Sequence, residues 1–352
     1  MAIDWTRGYA ATWRAYRVDP RTWADGERIG GVTALRVERT DPSDGDAPLL
    51  ESGSMDVDAV PGEGFASGYV RVAMVAEQAG ERERVDVCTL LCETVSGDVE
   101  RGADMLEVTG RSVLFPASVA RLDPGAYAPA GADAPQLAAE LLSERLSAPV
   151  SWSGSGVLDA PYVYGDSATV LSAAWMLARA CGHVIRVGGD GSVSVVPART
   201  QPALTLDRAN ARLLHPGVHH ELDCSGVPNR YVAQDGAEVA VAVNDDPASM
   251  VSTVSRGYTH DAPRDASPVR VGGETLAAYA ARRLEEESTL WDERGYSREF
   301  VPGVVPGDVV RGSLASVGLD GDLRVSAQSL ACGRGIVVRE TAKREVRLWS
   351  RS

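Results

Sequence analysis

The chain has 352 residues and carries 49 acidic against 35 basic side chains, a formal charge of −14. Its hydrophobic share of 44% excludes a disordered chain, and its length exceeds what one core normally organises, so two or three domains are expected. The acidic balance argues against a protein that clamps nucleic acid through its phosphates, which takes Lys and Arg to displace counterions, but not against one that nucleic acid slides past.

Residues 1–30 hold Trp5, Trp13 and Trp23 among turn signals such as Asp19-Pro20 and Asp25-Gly26. The N-terminus lacks the apolar core of a signal peptide, and no apolar run approaches the roughly 20 residues that span a bilayer. A soluble chain with no membrane insertion is therefore expected. From Val32 the sequence turns β-rich. Val32–Arg39, Gly53–Asp58, Gly68–Ala76, Arg84–Thr94 and Met105–Leu114 are short β-branched runs, broken at Gln78-Ala79-Gly80-Glu81 and Ser96-Gly97-Asp98. This predicts an antiparallel meander that curls into a barrel or sandwich, a first domain over residues 1–125.

Asp123–Gly131 reads as a Pro/Gly/Ala linker. Beyond it Asp133 and Pro135 mark a helix with the apolar stripe Leu137, Ala138, Leu141 and Leu142, ending near Ser147. A second helix is expected from Ser167 to Cys181, stopped by Gly182. The runs Val184–Val187 and Ser192–Val196 then flank Gly188-Gly189-Asp190-Gly191 as a hairpin. Two helices and a hairpin make a small α/β domain over residues 126–200.

Strand patterning returns from Pro202, giving a third domain over residues 201–352. Asn229–Gln234 and Glu238–Val243 flank Asp235-Gly236, a favoured hairpin turn. Residues 245–267 are polar and irregular, a long loop. Behind Gly272-Gly273, residues 274–287 predict a helix with Leu276, Tyr279, Ala280 and Leu284 on its apolar face and Glu274 in its first turn. Tyr296–Val301, Asp308–Arg311, Asp322–Gln328 and Gly335–Leu348 read as strands, with a tight turn at Asp320-Gly321. In Val305-Pro306-Gly307-Asp308-Val309, Pro presets the first turn dihedral, Gly takes the positive-φ position and Asp can bond its own backbone. The fold class is thus mainly β with an α/β insertion.

Each chemical candidate has a plainer explanation. His215, His219 and His220 form the one histidine cluster, but Pro216-Gly217 break any helix that would align them on zinc, so a polar turn into a strand is expected. Asp44-Gly45-Asp46 and Asp320-Gly321-Asp322 resemble pieces of calcium loops without the closing glutamate. The glycines at 188, 189 and 191 lack the Lys-Ser/Thr of a phosphate loop, and Gly165-Asp166-Ser167 fits a helix cap. Glu285, Glu286 and Glu287 read as a solvated helix face. Cys88, Cys92, Cys181, Cys224 and Cys332 are odd in number and widely spaced, which points to free thiols in a reducing compartment, with Cys88 and Cys92 as small apolar groups on one side of a strand. The expectation is no catalytic, cofactor-binding or metal-binding residue, and no cofactor.

The run Val227-Pro228-Asn229-Arg230-Tyr231, then a helix, then Val305–Val310, resembles the hub and tail-tip proteins of long-tailed phages and contractile injection machines. Trp13–Tyr16, Met55–Asp58 and Met74–Gln78 resemble tail proteins of actinobacterial phages and prophages. The resemblance implies a virion structural protein at the distal end of the tail tube. Two tube-like antiparallel β-barrel domains would flank the α/β unit, and a homotrimer would place six of them around a channel for DNA. It also implies contacts with a tail tube or distal tail protein, a tape-measure protein and other baseplate or receptor-binding proteins, after assembly in the host cytoplasm. The competing classes are a tail-associated cell-wall hydrolase and a carbohydrate-binding baseplate protein. A hydrolase would need a further C-terminal region, whereas this chain ends at Leu348–Ser352 after a strand; a carbohydrate module would need an aromatic platform that strands this poor in Tyr and Trp do not suggest.

Overall fold

A computed structural model describes residues 3–41, 51–59, 67–100, 103–165, 167–265, 274–333 and 335–350. The chain forms two compact units, Met1–Val218 with Gly295–Ala342, and His219–Arg294 with Lys343–Ser352.

The first unit opens with β1 (Ala10–Val18), β2 (Asp25–Ile29), β3 (Val32–Thr40), β4 (Ser52–Ala59), β5 (Gly68–Gln78), β6 (Glu81–Glu100) and β7 (Ala103–Ser112). All pair antiparallel, in the order β3-β4-β7-β6-β5-β1-β2. The expected plain meander is therefore corrected. β4 pairs with β7, so β5, β6 and β7 fold back against the β3–β4 hairpin along a Greek-key path. The Ser96-Gly97-Asp98 signal does not interrupt β6. Gly97 and Asp98 pair with Leu106 and Met105 of β7, and ladder formation overrides their weak strand propensity. β1 and β2 lie in the tryptophan-rich segment, where turn residues hid them. β1 pairs with β5 over its whole length, and Trp13 Nε1 donates to the Gly333 carbonyl at 2.8 Å. Alternation along β3 buries Leu35 and Val37 in a core shared with Val70, Val72, Met74, Leu90 and Val108.

The α/β portion follows: α1 (Phe115–Val119), β8 (Tyr127–Ala128), α2 (Ala134–Ser143), β9 (Val150–Trp152), β10 (Tyr162–Val163), α3 (Val170–Ala180), β11 (His183–Val187) and β12 (Val193–Pro197). Leu142, Leu171, Trp175 and Leu177 are its largest fully buried side chains. α3 begins at Thr169, not at the expected 165–167 cap. Thr169 Oγ1 accepts from the Ser172 amide and the Ser172 hydroxyl accepts from the Thr169 amide, a complete capping box. Gly182, at φ +68°, stops the helix as expected. The β11–β12 hairpin forms as read, and β9 adds to it parallel to β12. β13 (Leu204–Leu206) and β14 (Leu214–Glu221) complete this part of the chain.

In the second unit β15 (Arg230–Asp235) and β16 (Glu238–Val243) form the predicted hairpin, with Gly236 at φ +59°. The 245–267 stretch is irregular where described, apart from the single turn α4 (Thr253–Arg256). α5 (Leu276–Glu287) begins at an N-cap, Thr275, whose hydroxyl accepts from the Ala278 amide at 3.2 Å. Its buried face is Leu276, Tyr279, Ala280 and Leu284, packed on Tyr231, Ala233 and Ala242 of the hairpin. Glu274 precedes the cap and holds Arg282 at 3.0 Å instead of entering the first turn.

The last strands are β17 (Thr289–Glu299), β18 (Val309–Leu314), β19 (Leu319–Cys332) and β20 (Ile336–Arg347). β19 pairs with β3 from Ala327↔Thr40 to Cys332↔Leu35, so the early and late strand blocks belong to one 13-stranded sheet. The turn expected at Asp320-Gly321 falls earlier, where Gly318 takes φ +80°; Gly321 lies within β19 opposite Gly312. The fold is mainly β. Among the described residues no helix is long and apolar enough to cross a membrane.

The 188–191 turn packs so closely on β6 that a Cβ at Gly189 would lie 1.8 Å from the Asp86 carbonyl oxygen, whereas one at Gly8 would meet nothing within 4 Å. Gly189→Ala is expected to lower stability by about 2–3 kcal/mol and Gly8→Ala by less than about 0.5 kcal/mol, read as denaturant midpoints of the two variants.

Candidate functional site

Period-two alternation aims several charged side chains of the sheet inward. Arg39 on β3 and Gln328 on β19 share the inner face, as do Arg298 on β17 and Glu340 on β20; with Glu51 all five are buried. They form one chain of hydrogen bonds. Arg39 Nε donates to Glu51 at 2.5 Å, its Nη1 to Gln328 Oε1 at 3.3 Å and its Nη2 to the Val87 carbonyl at 2.8 Å. Gln328 Nε2 donates to Glu340 at 2.8 Å, and Arg298 grips the same carboxylate through Nε at 2.9 Å and Nη2 at 2.5 Å. Two guanidiniums balance two carboxylates. Burial pulls the Arg39 and Arg298 guanidiniums down, and the charges of Glu51 and Glu340 outweigh it, so both are held above the usual arginine range.

Beside this network the Val305–Val309 segment makes the expected sharp turn. Gly307 is at φ +91°, and Asp308 Oδ2 accepts from the Val305 amide at 3.1 Å. The sequence assigned Asp308 no further part, yet its fully buried carboxylate is held by Arg186 of β11 through both guanidinium nitrogens. Arg199 lies 3.8 Å away, and Arg324 Nε donates to Asp41 at 2.7 Å. Arg186, Arg199, Arg324 and Asp41, with Arg39, Glu51, Val184, Val187, Pro306 and Val309, line a cavity of about 80 Å³, and Asp308 is bonded to its wall through Arg186. The signal that marked it in the sequence was only the alternation that places Arg39 and Arg186 among apolar strand residues.

The 188–191 loop is a hairpin turn, as read. Its backbone is clamped from the sheet side, where Thr89 Oγ1 donates to the Gly189 carbonyl at 2.9 Å and Arg71 Nη2 and Trp23 Nε1 donate to that of Asp190, each at 2.8 Å. The three histidines all lie on β14, not in a turn, and each faces its own carboxylate: His215 meets Glu299 at 3.0 Å, His219 Glu221 at 3.7 Å and His220 Asp292 at 2.9 Å. Among the described residues no group of three or more His, Cys, Asp or Glu side chains is placed to hold a metal ion. Asp322 pairs with Arg311 at 2.6 Å, while Asp44-Gly45-Asp46 lies outside the described residues. Glu286 and Glu287 pair with arginines on their own helix, and Glu285 with Arg347 at 3.2 Å. In the second unit Asp265 accepts from Tyr231 at 3.1 Å and from Tyr279 at 2.5 Å, and this bond pushes the Tyr279 phenol up to about 12. Tyr127, Tyr162 and Trp152 of the α/β portion are exposed, the two tyrosines on the β8–β10 pair and Trp152 on β9 in a separate sheet.

No family model and no curated protein sequence matches the chain. Solved structures do. The 43 kDa tail protein of prophage MuSo2 from Shewanella oneidensis superposes with a TM-score of 0.60 at 14% identity, over 96% of this chain and 98% of that one. This is the fold of a phage tail protein. A tail protein from Neisseria meningitidis MC58 gives 0.59 at 16% identity, over 96% and 97% of the two chains. The Francisella PdpA–VgrG complex in its half-lidded form gives 0.52 at 7% identity, over 96% of this chain and 58% of the other. The buried ionic network and the clamped turn are thus parts of a tail-protein fold.

Two outcomes test the reading of buried polar groups. Replacing Arg298 with Ala leaves Glu340 charged and unpaired in the core and is expected to cost about 3–5 kcal/mol, while the double variant Arg298→Met/Glu340→Leu recovers most of that loss in chemical denaturation. Burial pushes the Cys92 and Cys332 thiols up to about 12 and also raises that of Cys88 well above the usual thiol range. Native protein treated with iodoacetamide at pH 8 should therefore be alkylated at the partly exposed Cys181 and Cys224 first, with the other three modified only on unfolding, as read by peptide mass spectrometry.

Proposed function

We propose that this chain is a structural hub of a phage-type tail, a homotrimer at the distal end of the tail tube whose ring links the tube to the tail tip and lets DNA pass. The observation that carries this reading is the end-to-end match with the MuSo2 tail protein, which spans 96% of one chain and 98% of the other. The partners are the tail tube or distal tail protein, the tape-measure protein and other baseplate or receptor-binding proteins, and the place of work is the virion. The role is architectural and not catalytic. The charged groups at the centre of the first unit are spent on one another: Arg298 and Glu340 are both buried, and Gln328 joins them to Arg39 and Glu51. The charge of −14 supports a channel wall richer in Asp and Glu than in Lys and Arg, because a basic lumen would hold phosphates by counterion release and stall passage.

Light scattering on the purified chain should return three times the 37.2 kDa protomer mass, and images of the particle should show an axial channel lined by net negative charge. A monomer at assembly concentrations, or a ring with a net positive wall, rejects the reading. A zymogram on peptidoglycan should show no band.

A further inference from the structure

Among the described residues, the cavity beside the Val305–Val309 turn gathers four arginines, two of which share one carboxylate, Asp308. Arg39 is matched by Glu51 at 2.5 Å, Arg324 by Asp41 at 2.7 Å, and Arg186 by the fully buried Asp308. The fourth guanidinium, Arg199, lies 3.8 Å from an Asp308 carboxylate that Arg186 already grips through two nitrogens. Its other bond is a long one, from Nη1 to the Gly303 carbonyl at 3.4 Å, and its side chain is 51% exposed. Among the described residues, four guanidiniums stand against three carboxylates, which leaves a single positive charge at the rim. The remaining wall is aliphatic, formed by Val184, Val187, Pro306 and Val309 among others.

We propose that this cavity binds a small aliphatic monocarboxylate, its head group on Arg199 and its hydrocarbon against the valines and Pro306. The charge count selects the head group. One negative charge neutralises the surplus and forms the two-pronged bond that a guanidinium favours, whereas a phosphate dianion would crowd Asp41, Glu51 and Asp308 with more charge than the site lacks. The aliphatic wall selects the tail, since pockets with a few fixed polar groups on apolar surroundings take amphipathic ligands. At about 80 Å³ the cavity has room for roughly six water-sized positions, which fits a branched acid of about five carbons. Such a group comes either as a free acid or as the C-terminus of a protein chain ending in a small aliphatic residue. The inference rests on the cavity alone and stands apart from the tail role.

The test is calorimetric titration of the full chain with isovalerate and with isovaleramide, and with N-acetyl-glycyl-valine carrying a free or an amidated terminus. Saturable binding is expected for the acids, with each amide at least tenfold weaker. Arg199→Gln, confirmed as folded by circular dichroism, should weaken the acids at least tenfold, while Arg311→Gln, which removes an exposed guanidinium paired elsewhere with Asp322, should leave them unchanged. Tighter binding of the peptide acid than of isovalerate assigns the site to a chain terminus, and the reverse order to a free acid. The proposal is overturned by no saturable binding of either acid, by equal binding of acid and amide, or by indifference to Arg199→Gln.

Discussion

The first unit depends on the pairing of β19 with β3. It is the seam at which the last strands of the chain meet the first, and it runs antiparallel from Ala327↔Thr40 to Cys332↔Leu35. Without it the N-terminal strands would end in an open ladder of unpaired N–H and C=O groups on β3. The seam also dictates the polar centre. Period-two alternation turns Arg39 and Gln328 to the same face, where a lone guanidinium would be prohibitive to bury. Glu51, Glu340 and Arg298 complete a neutral set, so the seam is closed by backbone hydrogen bonds on one level and by side-chain bonds on the next. A network of this kind contributes less to stability than to geometry, because its members tolerate only one arrangement.

The α/β portion is fixed to the sheet by the same economy of backbone groups. The 188–191 turn offers its carbonyls to Thr89, Arg71 and Trp23, and it comes close enough to do so because Gly189 and Gly191 carry no Cβ. Asp308 serves twice, closing its own turn through the Val305 amide and receiving Arg186 from β11. One carboxylate thereby ties a loop of the sheet to a strand of the α/β portion.

Much of this was legible in the residues. The β11–β12 and β15–β16 hairpins, α5 with its stripe of Leu276, Tyr279, Ala280 and Leu284, and strands β3 to β7 all follow from local periodicity and turn chemistry, which are short-range signals. What was not legible is long-range. That β4 turns to β7, and β3 to β19, is decided by which edges meet in space, and no pattern within a strand encodes its partner. β1 and β2 were hidden because Asp19-Pro20 and Asp25-Gly26 read as loop, although Thr12, Trp13 and Tyr16 are good strand formers once β5 lies alongside. The polar cluster was hidden for a related reason. Arg39, Arg298, Gln328 and Glu340 look like surface residues one at a time, and only the assembled sheet shows that they answer one another. The histidines failed in the opposite sense, adjacent in sequence yet facing three separate carboxylates.

The seam has a consequence for biosynthesis. Arg39 and Gln328, bonded in the finished protein, are 289 positions apart. At about 5–20 residues per second a ribosome needs roughly 15–60 s to deliver the second after the first. For that interval β3 is a synthesised strand with an empty edge, and Arg39 waits for one of its partners. The nascent chain is thus open to mispairing with neighbours on the same message throughout its elongation. Its folding is slow by topology, since a pairing this distant must close an unusually long loop before any of its bonds can form.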